Sequence, residues 1–308
     1  MWRLASRKHP SGPRRWEDHK ILLSGTEISY RAPENNHELI DSRAPLVLRK
    51  DIYNPAIFER YFEKNKHEPM GCGLGLKDWV FFGLPIFEGR IGDLKFHPTL
   101  AKMPEFSSLF RPLHMECAIE RYIYTSPHSS QISGWSRLGW KSLELNGHTW
   151  ITYGYKGDPG FHNAETVNGS VWHLALSDEI MLIIDFREII RIKNSRLHET
   201  YQKIIKDVMS SFTVKLSEDA RSQREAALSK YSDEKFSEHL PPYEFEQYPL
   251  VDRDEISTAV GARFDYDEKA LEQWSAEVEA ELKKQQQEAE KVRQRVLDSH
   301  LRFKEQEK

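Results

Sequence analysis

Between Gly139 and Phe212 the rhythm of apolar positions changes from a period of two to one near 3.6. The run "WKSLELNGHTWITYGY" sets Asn146-Gly147 between two alternating stretches, which predicts a tight β-hairpin. After the loop "KGDPGFHNAETVNG" come "SVWHLAL" and "IMLIIDFREI", joined through Ser177-Asp178-Glu179, and together these make a four-strand antiparallel meander. The next segment, "SRLHETYQKIIKDVMSSF", places Leu197, Tyr201, Ile204, Ile205, Val208 and Phe212 on one helical stripe. Strands followed by an amphipathic helix predict an α+β fold, an antiparallel sheet with helices packed on one face.

The earlier part of the chain is patterned in shorter pieces. "ILLSGTEISY" (21–30) predicts two strands around Ser24-Gly25, and "APLVLRK" (44–50) predicts a third. "NPAIFERYFEKN" predicts a helix with Asn54 as N-cap, Pro55 at its first position and Ile57, Phe58, Tyr61 and Phe62 on one face. "WVFFGLPIF" (79–87) is a strand run broken by Gly83 and Pro85. A loop-rich stretch is expected from there to about Leu113, and "MECAIERYIY" (115–124) is expected to be a longer strand.

Charge divides the chain in two. Residues 217–308 carry 15 Lys/Arg against 23 Asp/Glu, whereas residues 1–216 carry 29 against 25. The expected organisation is a basic arm (1–18), an α+β domain (19–216) and a charged tail (217–308) ending in a long helix. In that tail "PPYEFEQYP" is expected to be extended, and from Glu268 onward there is no Pro or Gly. Val278, Leu282, Gln285, Ala289, Val292, Val296, Ser299 and Phe303 follow heptad spacing, but Gln and Ser make it a poor seam. A solvated helix docked on the body or on a partner is the better expectation. The arm's Arg3, Arg7, Lys8, Arg14 and Arg15 precede any acid, yet they come without a basic helix or an aromatic stacking platform, which argues against nucleic acid. No apolar run approaches a membrane span, and the basic start lacks the apolar core of a signal peptide, so a soluble cytoplasmic protein is expected.

Candidate chemistry is sparse. "GCGLGLKDW" (71–79) resembles a phosphate loop, but a helix is expected before it and a strand after it, the reverse of what anion binding at a helix N-terminus requires. Lys77 is followed by Asp78 and Trp79, not by Ser or Thr. The glycines at 71, 73 and 75 are expected to admit a close neighbour, Gly73 and Gly75 above all, with Leu74 and Leu76 turned to the core. Ser136 in "GWSRLG" is one residue out of step with a nucleophile elbow. Cys72 and Cys117 are too few for a disulfide framework and are expected to be buried, inert thiols. Among 13 His there is no metal motif. Asp158 and His162 in "GDPGFHN", with His148 and His173 on flanking strands, form the one cluster that could serve metal-assisted or acid–base chemistry; a turn closed by Asp158 and a surface His162 is the plainer reading. No cofactor is expected.

The N-terminal hairpin "ILLSGTEISYRAPEN", the later "NGHTW" meander and the helix ending "VMSSFTV" resemble the Mog1/PsbP/DcrB-like α+β proteins, which include small bacterial immunity-type proteins. The resemblance covers 21–30 and 139–214; residues 55–135 and the tail depart from it. It implies a binding or assembly role and no catalytic residues. The function expected from the sequence is therefore a non-catalytic interaction protein, in one form an immunity-type inhibitor of a toxin or secretion-associated partner. A metal-assisted hydrolase using Asp158 and His162 is the alternative. The partner is another protein, or a second copy through the C-terminal helix. Tyr153, Tyr155, Phe161, Tyr243, Phe245 and Tyr248 are candidate contact aromatics, against the plainer reading that most are core or tail-docking residues.

Overall fold

The computed structural model describes residues 10–37, 45–58, 70–84, 88–104, 106–125, 135–157, 164–192, 195–237 and 243–245, all in one compact unit. Two sheets face each other. The smaller has the order β11-β2-β1-β3, from β1 (Trp16–Leu23), β2 (Thr26–Pro33), β3 (Val47–Lys50) and β11 (Thr213–Lys215). The larger runs β12-β7-β8-β9-β10-β6-β4, with β5 also paired to β6. Its strands are β4 (Met70–Gly73), β5 (Lys77–Phe82), β6 (Arg90–Lys102), β7 (Trp135–Leu145), β8 (His148–Gly157), β9 (Thr166–Ala175), β10 (Ile180–Ile190) and β12 (Tyr243–Phe245). All strand pairs are antiparallel except β1 with β3. Three helices complete the described fold: α1 (Pro112–Thr125), α2 (Ser195–Ser211) and α3 (Glu218–Lys230).

Both expected hairpin turns form. Ser24 and Gly25 adopt φ of 46° and 97°, Asn146 and Gly147 φ of 52° and 79°, the positive values that let a two-residue turn follow the strand twist. The meander and α2 stand where the periodicity places them, with Leu197, Tyr201, Ile204, Ile205, Val208 and Phe212 all buried.

Two expectations fail. "MECAIERYIY" belongs to helix α1, not to a strand. Its β-branched and aromatic content suggested a strand, yet Met115, Ala118, Ile119 and Ile123 are buried at three- and four-residue spacing, a helical face. The stretch expected to be a loop contains β6, thirteen residues long and paired to β10 on one side and to β4 and β5 on the other. Gly92 and Pro98 disguised it. Near Asn54 the expected N-cap is present, its side chain accepting from the Ala56 amide, but only a 3-10 turn over Pro55–Ile57 follows and Phe58 is already extended. Tyr61 and Phe62 lie outside the described residues.

The main core fills the space between the two sheets and α2, joining Ile21, Leu23 and Ile28 to Phe96, Phe186 and Phe212. Strand alternation gives the large sheet a second, outer face, where α1 packs. There Tyr122 meets His173 edge-on at 6.1 Å, and Trp140 stacks on Tyr153 at 6.2 Å. With a layer on each face, β6 and β10 are buried along most of their length rather than at alternate positions, although β6 carries Asp93, Lys95 and His97 among its apolar residues.

The charged segment after residue 217 is joined to the body as far as Ser237. Ser217 caps α3 and its amide donates to Thr26 Oγ1 at 3.0 Å. Gln223 accepts from the Asp178 amide, and Arg224 donates to the Gly147 carbonyl. α3 therefore spans the tips of three hairpins. Beyond it, Arg111 binds Glu234 at 2.8 Å and Glu116 accepts from the Ser237 hydroxyl at 3.0 Å, which ties the strap 231–237 to α1. The helix expected from Glu268 onward lies outside the described residues.

Candidate functional site

The glycine run proves to be a break in an edge. Cys72 and Gly73 pair with Leu100 and Thr99, and Lys77 pairs with Phe96, so Leu74, Gly75 and Leu76 face only His97 and Pro98. That is a bulge, and Gly75 takes φ of 133° within it. Leu74 N–H donates to the Pro98 carbonyl at 2.9 Å. In an antiparallel ladder a residue's N and O face the same side, so the missing amide of Pro98 falls at this bulge instead of against β10. Leu74 is buried as expected, while Leu76 is only half-buried and Gly73 is exposed. A Cβ at Gly73 would meet only His97 Nε2, at 3.9 Å, so no tight neighbour requires glycine there. Lys77 is 2% exposed and donates to Glu17 Oε2 at 3.1 Å and to the Pro33 carbonyl at 3.3 Å. It crosses the gap between the sheets and is turned away from any phosphate.

Polar side chains concentrate on the outer face of the large sheet, in rows that register makes contiguous. Asp78, Lys95, Arg187, Gly169 and Tyr155 are successive partners across β5, β6, β10, β9 and β8. His97 and Asp185 pair in the next row. Tyr155 Oη donates to Asp185 Oδ1 at 3.0 Å and accepts from Arg187 Nε at 3.2 Å, while Arg187 and Asp185 lie 3.5 Å apart. Lys95 stands 3.5 Å from Asp78, and fully buried Asp93 binds both Arg90 and Arg191. Burial raises the Tyr155 phenol well above its ordinary value, helped by Asp185. Burial also lowers His97, with Asp185 opposing and Arg187 reinforcing that shift. Each acid in the strip has a cation beside it. The strip's charges are largely matched within it, and among the described residues one Asp78 oxygen, Oδ1, is buried without a hydrogen-bond partner.

The expected site residues are not brought together. His148 opens β8 and lies 2.9 Å from the Val214 carbonyl, to which its Nε2–H donates; Gly157, which precedes Asp158, closes the same strand about 30 Å away. His173 sits on the outer face with no hydrogen-bond partner for either ring nitrogen among the described residues. Asp158, Phe161, His162 and Tyr248 lie outside those residues. Tyr153 and Tyr155 are each 2% exposed, which corrects their assignment to a contact surface. Trp79, Trp150, Phe81 and Phe96 are equally buried, so these aromatics serve the core. Tyr243 and Phe245 lie on β12, which pairs with Arg137 and Trp135 of β7. Ser136 lies inside β7 rather than at a strand-to-helix turn. Cys72 and Cys117 are buried and free of disulfides. Among the described residues no group of three His, Cys, Asp or Glu is placed to hold a metal ion. No described helix is long and apolar enough to cross a membrane. A cleft of about 250 Å³ lies between Pro13, Trp16, Phe81 and Ile204, away from the strip.

Among the described residues, β3 is an open sheet edge. It ends the order of the small sheet, and its only strand partner among the described residues is β1. Lys20 N–H donates to the Leu46 carbonyl at 2.8 Å, and Lys20 is in register with Val47. Leu46, Leu48 and Lys50 thus turn their backbone groups toward β1, and Val47 and Arg49 turn theirs outward. Around this edge Leu46 and Val47 are each 53% exposed and Tyr53 is 60% exposed. The turn after β3 is fixed: Ser24 Oγ donates to Asp51 Oδ1 at 2.7 Å and accepts from the Ile52 amide at 3.0 Å. "APLVLRK" identified the strand, but nothing in it told that the outer side would lack a partner among the described residues.

No family model and no curated sequence matches the chain. Two solved structures are similar to it at low level. LpqN of Mycobacterium tuberculosis, described as involved in cell envelope biogenesis, is 8% identical, covers 66% of this chain and 92% of its own, and has a TM-score of 0.31. A protein from Bacteroides thetaiotaomicron is also 8% identical, covers 61% of this chain and 45% of its own, with a TM-score of 0.25. The chain spans less than half the length of the second. Both are weak likenesses to other α+β folds.

Proposed function

We propose that this chain is a non-catalytic interaction protein that binds another protein through the β3 edge. One observation carries the reading: the outward backbone groups of Val47 and Arg49 have no partner among the described residues, and three large apolar side chains beside them are exposed. Sheet edges of soluble proteins are ordinarily covered, charged or kept short, because an open edge accepts a strand from another chain. β3 is itself short and carries Arg49 and Lys50, but exposed Leu46, Val47 and Tyr53 leave apolar surface beside it. The edge of β5 shows the usual treatment. Asn36 both donates to the Val80 carbonyl and accepts from its amide, and Ser11 pairs with Phe82. An immunity-type inhibitor that occludes a toxin's site is one specific form of this function, and the β3 edge would supply its contact. The metal-assisted hydrolase reading draws on Asp158 and His162, and no observation among the described residues favours it.

A photo-crosslinking amino acid at position 47, in cells that make the protein, tests this. A discrete protein adduct is expected from position 47, with none from Lys215 on the opposite edge of the same sheet. Absence of any adduct at 47 above that control contradicts the reading.

A further inference from the structure

We infer that the β3 edge takes an extended acidic–aliphatic segment of a partner protein, added as a further strand; this rests on the interaction reading above. The charges beside the edge decide the partner's chemistry. Arg49 is exposed and Lys50 half-buried, and neither has a carboxylate within ion-pair distance among the described residues. Neighbouring cations are already matched: Lys20 binds Glu27 at 2.8 Å, and Arg31 lies 4.0 Å from Asp18. Two cations unmatched among the described residues, next to backbone groups without a described partner, leave a positive edge that a strand bearing carboxylates completes.

Strand geometry sets the pattern of the guest. Val47 and Arg49 share the outward face of the small sheet with Lys20 and Leu22, their register partners. Leu48 and Lys50 share the inner face with Ile21 and Leu23, and Leu48 packs on the core. A guest with carboxylates on one face and aliphatic side chains on the other meets Arg49 with the first and extends the Leu48 side with the second. A half-buried lysine on that face can lay its apolar stem along the guest and keep its ammonium at the rim. A second copy of this chain is disfavoured. Antiparallel pairing of β3 with itself gathers two Arg49 and two Lys50 side chains in one short ribbon with no acid between them.

The test uses the full chain and three fluorescein-labelled seven-residue peptides, one alternating Glu with Val, one Gln with Val and one Lys with Val, followed by fluorescence anisotropy. Saturable binding of the Glu peptide is expected, weakening with salt, at least about tenfold tighter than the Gln peptide and with no binding of the Lys peptide. Arg49→Glu with Lys50→Glu should abolish it and admit the Lys peptide. Val47→Pro should also abolish it, because it removes one outward amide while leaving the ladder to β1 intact. Equal or tighter binding of the Gln or Lys peptide, lost in Val47→Pro, overturns the acidic partner and leaves the edge reading standing. Binding that survives Val47→Pro and the double charge reversal puts the site elsewhere and overturns the inference. No binding of any peptide overturns both.

Discussion

The ring of Tyr155 lies across Gly169, filling the space where a Cβ would stand. Gly169 is the register partner of both Tyr155 and Arg187, and the absent side chain lets the phenol pass over β9 to reach Asp185 on β10. Gly169→Ala should displace the ring, break its bonds to Asp185 and Arg187, and cost about 1–3 kcal/mol of overpacking. Tyr155→Phe keeps the ring and loses only its hydroxyl, so about 1 kcal/mol is expected. Urea unfolding should rank Gly169→Ala as the worse of the two. Equal stability of both variants would mean that the ring does not depend on the glycine.

At the bulge, Gly75 and Gly73 should behave differently. Gly75→Ala places a side chain at φ of 133°, a strained backbone for any L-residue, and about 1–3 kcal/mol is expected. Gly73→Ala meets only His97 at 3.9 Å and should be close to neutral. Thermal unfolding of the two variants decides between a conformational and a packing role for the run.

His173 makes acid sensitivity measurable. It is fully buried, stacked on Tyr153 at 5.5 Å, and burial lowers its pKa from 6.5 to about 3. Below pH 6.5 the unfolded chain binds a proton there that the folded chain refuses until about pH 3. Stability therefore falls as pH drops through that window, by up to about 1.4 kcal/mol per pH unit. Between pH 6.5 and pH 4.5 the wild type should lose about 2–3 kcal/mol more than His173→Phe. Parallel losses in the two proteins would show that the ring titrates normally in the fold.

The strap over α1 should open locally. Arg111 also lies over the Tyr231 ring, at 4.5 Å, and holds the Glu234 carboxyl below its usual range through their hydrogen bonds. Glu234 thus contributes stability above the ordinary carboxylate range that is lost as pH falls through its lowered pKa. The pair is partly solvated, so Arg111→Ala should cost only about 1 kcal/mol overall. Proteolysis between 231 and 237 should nevertheless rise about fivefold, following the local opening equilibrium. Unchanged cleavage would place the strap's anchorage on contacts other than Arg111, among them Glu116 with Ser237.

What could be read from the sequence was local and periodic. Ser24-Gly25 and Asn146-Gly147 announced their turns because positive φ is chemically expensive elsewhere, and α2 announced itself by a single apolar stripe. β6 could not be read, since Pro98 is tolerated only through a bulge in a strand that lies more than twenty residues earlier. α1 was legible in period but hidden by composition. The polar strip joins residues from five strands, and neither Gly169 nor Arg187 signals its neighbours. That β3 has no outer partner among the described residues is likewise a property of what fails to pair with it, which no run of residues records.

Amide hydrogen exchange along β3 tests the central claim most directly. In the free protein the outward amides of Val47 and Arg49 should exchange near unstructured rates, while those of Leu48 and Lys50, turned to β1, are protected. Saturation with the Glu–Val peptide should slow Val47 and Arg49 by at least about tenfold. Protection of all four amides in the free protein, or no change at Val47 and Arg49 when peptide is added, would contradict a recognition edge at β3.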